Sequence, residues 1–120
     1  MQQQQTQLTD AVVIRANQRR RRPISNGGIV YEELTPAGVE SLVSFMVTAE
    51  PGQATAPDLR HGGDESLVVL AGRVEVDVEG TTHTLNPGDS LFIPRGRRHR
   101  LTTIGTETAH AVFVLGPPRY

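Results

Sequence analysis

The chain has 120 residues, a net charge of −1 and no cysteine. Its length suits a single domain of the usual ~100–200 residues; the missing thiols exclude disulfides, zinc–thiolate sites, iron–sulfur clusters and a cysteine nucleophile. The near-balanced charge argues against a surface built to coat nucleic acid, and no apolar run approaches the ~20 residues of a membrane span, so a cytoplasmic protein with neither a nucleic-acid nor a membrane partner is expected.

Aromatic residues make up only 4% of the chain and tryptophan is absent, so the core must be Val, Leu and Ile. The N-terminus begins Met1-Gln2-Gln3-Gln4-Gln5, with neither a basic end nor an apolar stretch behind it, which is not a secretory signal. Residues 1–14 are expected to be a flexible Gln-rich tail and residues 15–120 the folded domain, although the apolar residues 11–14 could open a first strand. Arg19, Arg20, Arg21 and Arg22 form a charge run, read as a solvated edge or loop in preference to a phosphate contact.

Residues 29–34 read as a strand with Tyr31 on one face. Residues 41–48 read as another, with Val43, Phe45 and Val47 on one side and Leu42 and Met46 on the other. Residues 67–70 are wholly apolar and predict a strand buried on both faces or at a sheet centre. Beyond Gly72, Val74, Val76 and Val78 alternate with Arg73, Glu75, Asp77 and Glu79, the cleanest half-buried strand in the chain. Glu79-Gly80 turns it into a hairpin with residues 81–85, where His83 is read as a surface residue. Residues 90–93 form a short strand stopped by Pro94, residues 101–104 another, and residues 108–115 the last, opened by His110. Short strands, turn signals every eight to twelve residues and no helical period predict an all-β sandwich or barrel.

The turn-rich stretch around residues 86–103 carries Gly88, Asp89, Pro94, Gly96 and His99. Their spacing resembles the second motif of the cupin family. Upstream, His61-Gly62-Gly63-Asp64-Glu65 followed by Gly72 is similar to that family's first motif. The resemblance spans residues 33–120 and implies the cupin double-stranded β-helix, a jelly-roll barrel. It also implies that His61, Glu65 and His99 converge inside. In an extended chain, side chains four apart share a face, so His61 and Glu65 can both point inward. Two imidazoles and a carboxylate suit Fe, Mn, Ni or Zn. The family's usual set has a further histidine two residues before His61, where this chain has Leu59, so the resemblance implies a divalent transition metal held weakly or not at all. Without a metal, Glu65 would accept hydrogen bonds from the histidines and the three would face a ligand directly. Phe45, Leu101 and Phe113 are taken as pocket residues and Arg98 as part of an arginine-rich rim.

Residues 19–34, the two motifs and the ending Leu115-Gly116-Pro117-Pro118-Arg119-Tyr120 also resemble the C-terminal cupin half of bacterial helix-turn-helix regulators. That likeness implies a small-molecule-sensing module or a stand-alone homologue, with a homodimer expected. A metal-dependent dioxygenase, isomerase or epimerase using His61, Glu65 and His99 is the alternative. No Ser nucleophile elbow and no phosphate-cradling loop is present.

Overall fold

The structure, a computed structural model, describes residues 8–23, 28–55 and 62–117. The first seven residues of the expected tail, the Asn26-Gly27 turn, Leu59, His61 and the last three residues lie outside that set. Among the described residues there are nine strands: β1 Arg21–Pro23, β2 Ile29–Glu33, β3 Val43–Ala49, β4 Glu65–Ala71, β5 Arg73–Val78, β6 Thr81–Leu85, β7 Ser90–Ile93, β8 His99–Ile104 and β9 Ala109–Leu115. They form a six-stranded sheet in the order β1-β2-β3-β9-β4-β7 and a three-stranded sheet in the order β6-β5-β8, with antiparallel pairing throughout. Two antiparallel sheets closing over one core are the expected jelly roll. Among the described residues the only helical segment is a 3-10 turn, Ala16–Gln18, and no helix is long and apolar enough to cross a membrane.

The cores of both sheets follow from alternation. In β5, Val74 and Val76 are fully buried while Arg73 is exposed. Opposite them, His99, Leu101 and Thr103 of β8 point inward as partners of Val78, Val76 and Val74. In the larger sheet, Glu65, Leu67 and Val69 of β4 and Ala109, Ala111, Phe113 and Leu115 of β9 share the inner face. These inner faces carry Ile29, Val47, Leu67, Val69, Val74, Val76 and Ile93, all at most 2% exposed.

Three expectations need correction. The run at residues 11–14 forms no strand; Val12 and Val13 stand 52% and 66% exposed, and the first strand is instead made by the arginine run. That run gains its pairing from β2, with Arg22 opposite Tyr31 and Arg21 opposite Glu32. Of the two readings of residues 67–70, the interior strand holds, since β4 lies between β9 and β7, and burial on both faces does not: Leu70 is 52% exposed on the side away from the core. His83, expected on the surface, is half-buried as the partner of Val76 on the inner side of its sheet.

Two local devices hold the site end of the barrel. At Gly72 the register slips between Val69 and Ala71, φ is +73°, and a Cβ there would lie 2.8 Å from the Ala109 backbone. Only glycine fits that approach. At the β5–β6 hairpin, Glu79 itself adopts φ 49°. Its carboxylate accepts a 3.0 Å hydrogen bond from the Arg98 backbone N–H, and its own N–H donates to the Arg98 carbonyl at 3.0 Å. The hairpin is thereby fastened to the residue just before His99.

Candidate functional site

Glu65 and His99 open strands in opposite sheets and meet inside. Glu65 is 2% exposed and His99 5% exposed. His99 Nε2 lies 3.5 Å from Glu65 Oε1. The expected convergence of these two therefore occurs; the third residue, His61, lies outside the described residues.

Each partner is fixed by backbone on both sides. Glu65 begins β4 between Ile93 of β7 and Leu115 of β9. Its neighbour Asp64 points the other way and accepts a 3.0 Å hydrogen bond from the Arg95 backbone N–H, while the Asp64 carbonyl accepts from Gly116 N at 2.9 Å. The two adjacent acids thus divide their work by strand alternation: one pins the corner that follows Pro94, the other enters the barrel. His99 Nδ1 lies 3.1 Å from the Arg97 carbonyl. A carbonyl only accepts, so Nδ1 carries a hydrogen and Nε2 is the nitrogen turned to Glu65.

Burial raises the Glu65 carboxyl from its ordinary 4.5 to about 7. A group poised there exists in both forms near neutral pH. The Glu65 carboxyl can therefore hand a proton to, or take one from, a third molecule, with His99 Nε2 facing it. At 3.5 Å their separation exceeds a good hydrogen bond, which runs to about 3.2 Å for N–H···O.

The aromatic residues form a wall beside this pair. Tyr31 stacks on Phe45 with centroids 5.2 Å apart, and Phe45 stacks on Phe113 at 5.4 Å, both nearly parallel. Tyr31 and Phe45 line a cavity of about 410 Å³ that also touches Val43, Leu115 and the β2–β3 loop. Leu115 is the cross-strand partner of Glu65, whereas Glu65 and His99 themselves do not line the cavity. The Tyr31 phenol is pushed up, first by burial and then by the Glu65 charge.

The other expected pocket residues fall in different places. Phe45 lines the cavity and Phe113 stands behind it, 6% exposed. Leu101 is core, packed with Val76 in the smaller sheet, and its N–H donates to Thr55 Oγ1 at 2.9 Å. Arg98 is a partner of the hairpin, its guanidinium 3.6 Å from Glu79. Arg95 reaches toward Asp64, and Arg100 Nε donates to the Thr55 carbonyl at 3.1 Å. Much of the expected rim is therefore structural wiring around the corner. His110 stands on the outer side with Thr48, 3.3 Å away. Sequence reasoning missed Arg20, Arg22 and Glu33 on the cavity wall; the alternation of positions 20 and 22 is the available signal, and reading the run as a solvated edge or loop assigns it no cavity.

Among the described residues no three His, Cys, Asp or Glu side chains form a group that could hold a metal ion. Glu65 and His99 supply two suitable donors, with the Nδ1 anchored on a carbonyl as metal-binding imidazoles usually are.

A family model described as a cupin domain matches residues 45–115. Polyketide synthase CurC of Streptomyces cyaneus is 33% identical over 119 residues, spanning 98% of this chain and 73% of that protein. Among solved structures, an RmlC-like cupin from Shewanella frigidimarina shares the fold with a TM-score of 0.77 at 19% identity, over 92% of this chain and 94% of that one. The Cupin_2 domain of an XRE family transcriptional regulator from Enterobacter cloacae aligns with a TM-score of 0.67 at 21% identity, over 77% of this chain and 99% of that one.

Proposed function

The chain belongs to the cupin family, and from that premise we propose that it binds a small, flat, unsaturated molecule in the cavity walled by Tyr31 and Phe45, with Glu65 and His99 as the polar groups behind it. The observation that carries this reading is an aromatic-walled cavity of about 410 Å³, within the ~300–1,000 Å³ typical of small-molecule sites, whose lining residue Leu115 is the cross-strand partner of Glu65. The likeness to a protein named polyketide synthase CurC favours an oxygen-bearing polyketide ligand, and the stacked Tyr31 and Phe45 favour a flat ring with phenol or carbonyl oxygens. Phenols and enolisable carbonyls are groups that a carboxyl–imidazole pair can hydrogen-bond or relieve of a proton. Binding without turnover would make the domain a sensing module, the use supported by the regulator-like features of the sequence and by the fold shared with a regulator's cupin domain.

The test is calorimetric titration and thermal shift with 1-naphthol and 1-hydroxy-2-naphthoate. At a hundred times its dissociation constant, a ligand adds about 2.7 kcal/mol to stability. Binding is expected in the wild type, and both Phe45→Ala and His99→Ala should weaken it. No shift with either compound, or an unchanged affinity in both variants, would remove this site from consideration.

A second reading is favoured by the anchored Nδ1 of His99, which leaves Nε2 facing Glu65. In it, Glu65 and His99 hold a divalent transition ion, which when bound supplies Lewis acidity to an oxygen-bearing ligand. Elemental analysis of untagged protein loaded with Fe(II), Mn(II), Ni(II) or Zn(II) decides it. Stoichiometric metal that Glu65→Gln abolishes supports it; metal near zero after every loading refutes it.

A further inference from the structure

The arginine run lies on two sides of one strand. Arg21 pairs with Glu32 and Arg22 with Tyr31 across β1 and β2, so alternation puts Arg20 and Arg22 on the inner side and Arg19 and Arg21 on the outer. The ion pairs agree. Arg19 reaches Glu32 at 3.7 Å, whereas both Arg20 and Arg22 reach Glu33, the latter at 3.0 Å. Arg20, Arg22 and Glu33 all line the cavity whose far wall is Tyr31 and Phe45.

We propose that Arg20 and Arg22 form a carboxylate subsite at the mouth of this cavity, so that the ligand is an aromatic acid with its ring against Tyr31 and Phe45 and its carboxylate between the guanidiniums. This rests on the small-molecule reading above. Glu33 and Glu40 together balance the two charges in the lining, so the subsite rests on the guanidinium donors and their geometry, not on a surplus of charge. Each guanidinium carries five N–H donors in a fixed fork. Glu33 is only 18% exposed, while the Arg20 and Arg22 side chains are 55% and 68% exposed, so their outer faces stay open to an incoming anion. A carboxylate bound there gains charge-assisted, bidentate hydrogen bonds that water forms less well. Glu40, on the β2–β3 loop, also lines the cavity and opposes the same ligand charge. It sets a direction for the test: neutralising Glu40 must strengthen acid binding, and neutralising the arginines must weaken it.

Calorimetry compares 1-hydroxy-2-naphthoate with 1-naphthol, which share the ring and differ by the carboxylate. The wild type is expected to prefer the acid by about tenfold or more. Arg22→Gln and the double variant Arg20→Gln/Arg22→Gln lose that preference stepwise while keeping 1-naphthol affinity. Glu40→Gln raises acid affinity several-fold and leaves 1-naphthol alone. Raising the salt from 0.1 to 0.5 M weakens only the acid. The single variant Arg22→Gln keeps the Arg20–Glu33 pair in place, so the comparison survives if the double variant unfolds. If the wild type binds both compounds equally, or if Arg22→Gln and Glu40→Gln leave the preference unchanged, the carboxylate subsite is wrong while the binding reading stands. If neither compound binds the wild type, both fall together.

Discussion

A carboxyl group buried in the barrel sets the behaviour of the molecule at the scale of single residues. Glu65 titrates at about 7 when folded, against an ordinary 4.5. Its folded pKa lies above its unfolded one, so the folded state binds the proton more tightly. Its contribution to stability is full below pH 4.5 and is lost as pH rises through 7. The window corresponds to about 3 kcal/mol at 1.36 kcal/mol per unit. In chelator, wild-type stability should therefore fall relative to Glu65→Gln between pH 4.5 and 8 by that order, as read by urea unfolding at several pH values. Parallel curves for the two proteins would show that the carboxyl is not held as described. Motif spacing announced Glu65 and His99 in the sequence, because turn residues around them fix where each strand begins. The aromatic wall was half legible: Phe45 and Phe113 were expected in the pocket, whereas Tyr31 was given a face but no role. Nothing in the letters says which of two apolar faces will stack.

Strands were the most legible elements. The alternation of Val74, Val76 and Val78 survived into burial with little change because β5 has one wet side and one dry side. The apolar run in β4 marks an interior strand, as its composition implies, but not one buried on both faces: Leu70 stands on the outside because its sheet has a single core-facing side. The arginine run misled, since pairing with β2 through Glu32 and Glu33 stabilises a strand that its own composition does not predict. Turn glycines allow a ranking. Gly72 and Gly96 both have positive φ, but a Cβ at Gly96 would meet no atom within 4 Å, whereas at Gly72 it would strike the backbone of Ala109. Backbone strain alone costs about 1–3 kcal/mol, and the clash at Gly72 adds to it. We expect Gly72→Ala to lower the melting temperature clearly more than Gly96→Ala, a comparison that differential scanning calorimetry settles. Equal effects would mean that the bulge region yields.

At the scale of the whole molecule, the outer face of the larger sheet is the open question. Val68, Val112, Val114 and Met46 are half-buried there, and Leu70 and Phe92 are 52% and 61% exposed. The extended segment before β1 adds Leu8, Val12 and Val13, each about half exposed or more. Scattered exposed apolar residues are normal, but a face and an arm of this kind in one small chain favour association. The expected outcome is a homodimer by light scattering, with Phe92→Glu or removal of residues 1–14 shifting it toward monomer. A monomer at every concentration would leave that face without a partner in solution.

Asp64 and Glu65 sit side by side, yet one faces solvent and holds the corner while the other is sealed inside. Their jobs depend on odd and even position alone. Deleting Ser66 ahead of Leu67 would leave both acids present and still turn the wrong one toward His99. In a related chain, the parity of that short stretch is thus a better guide to a working pocket than a count of matching residues.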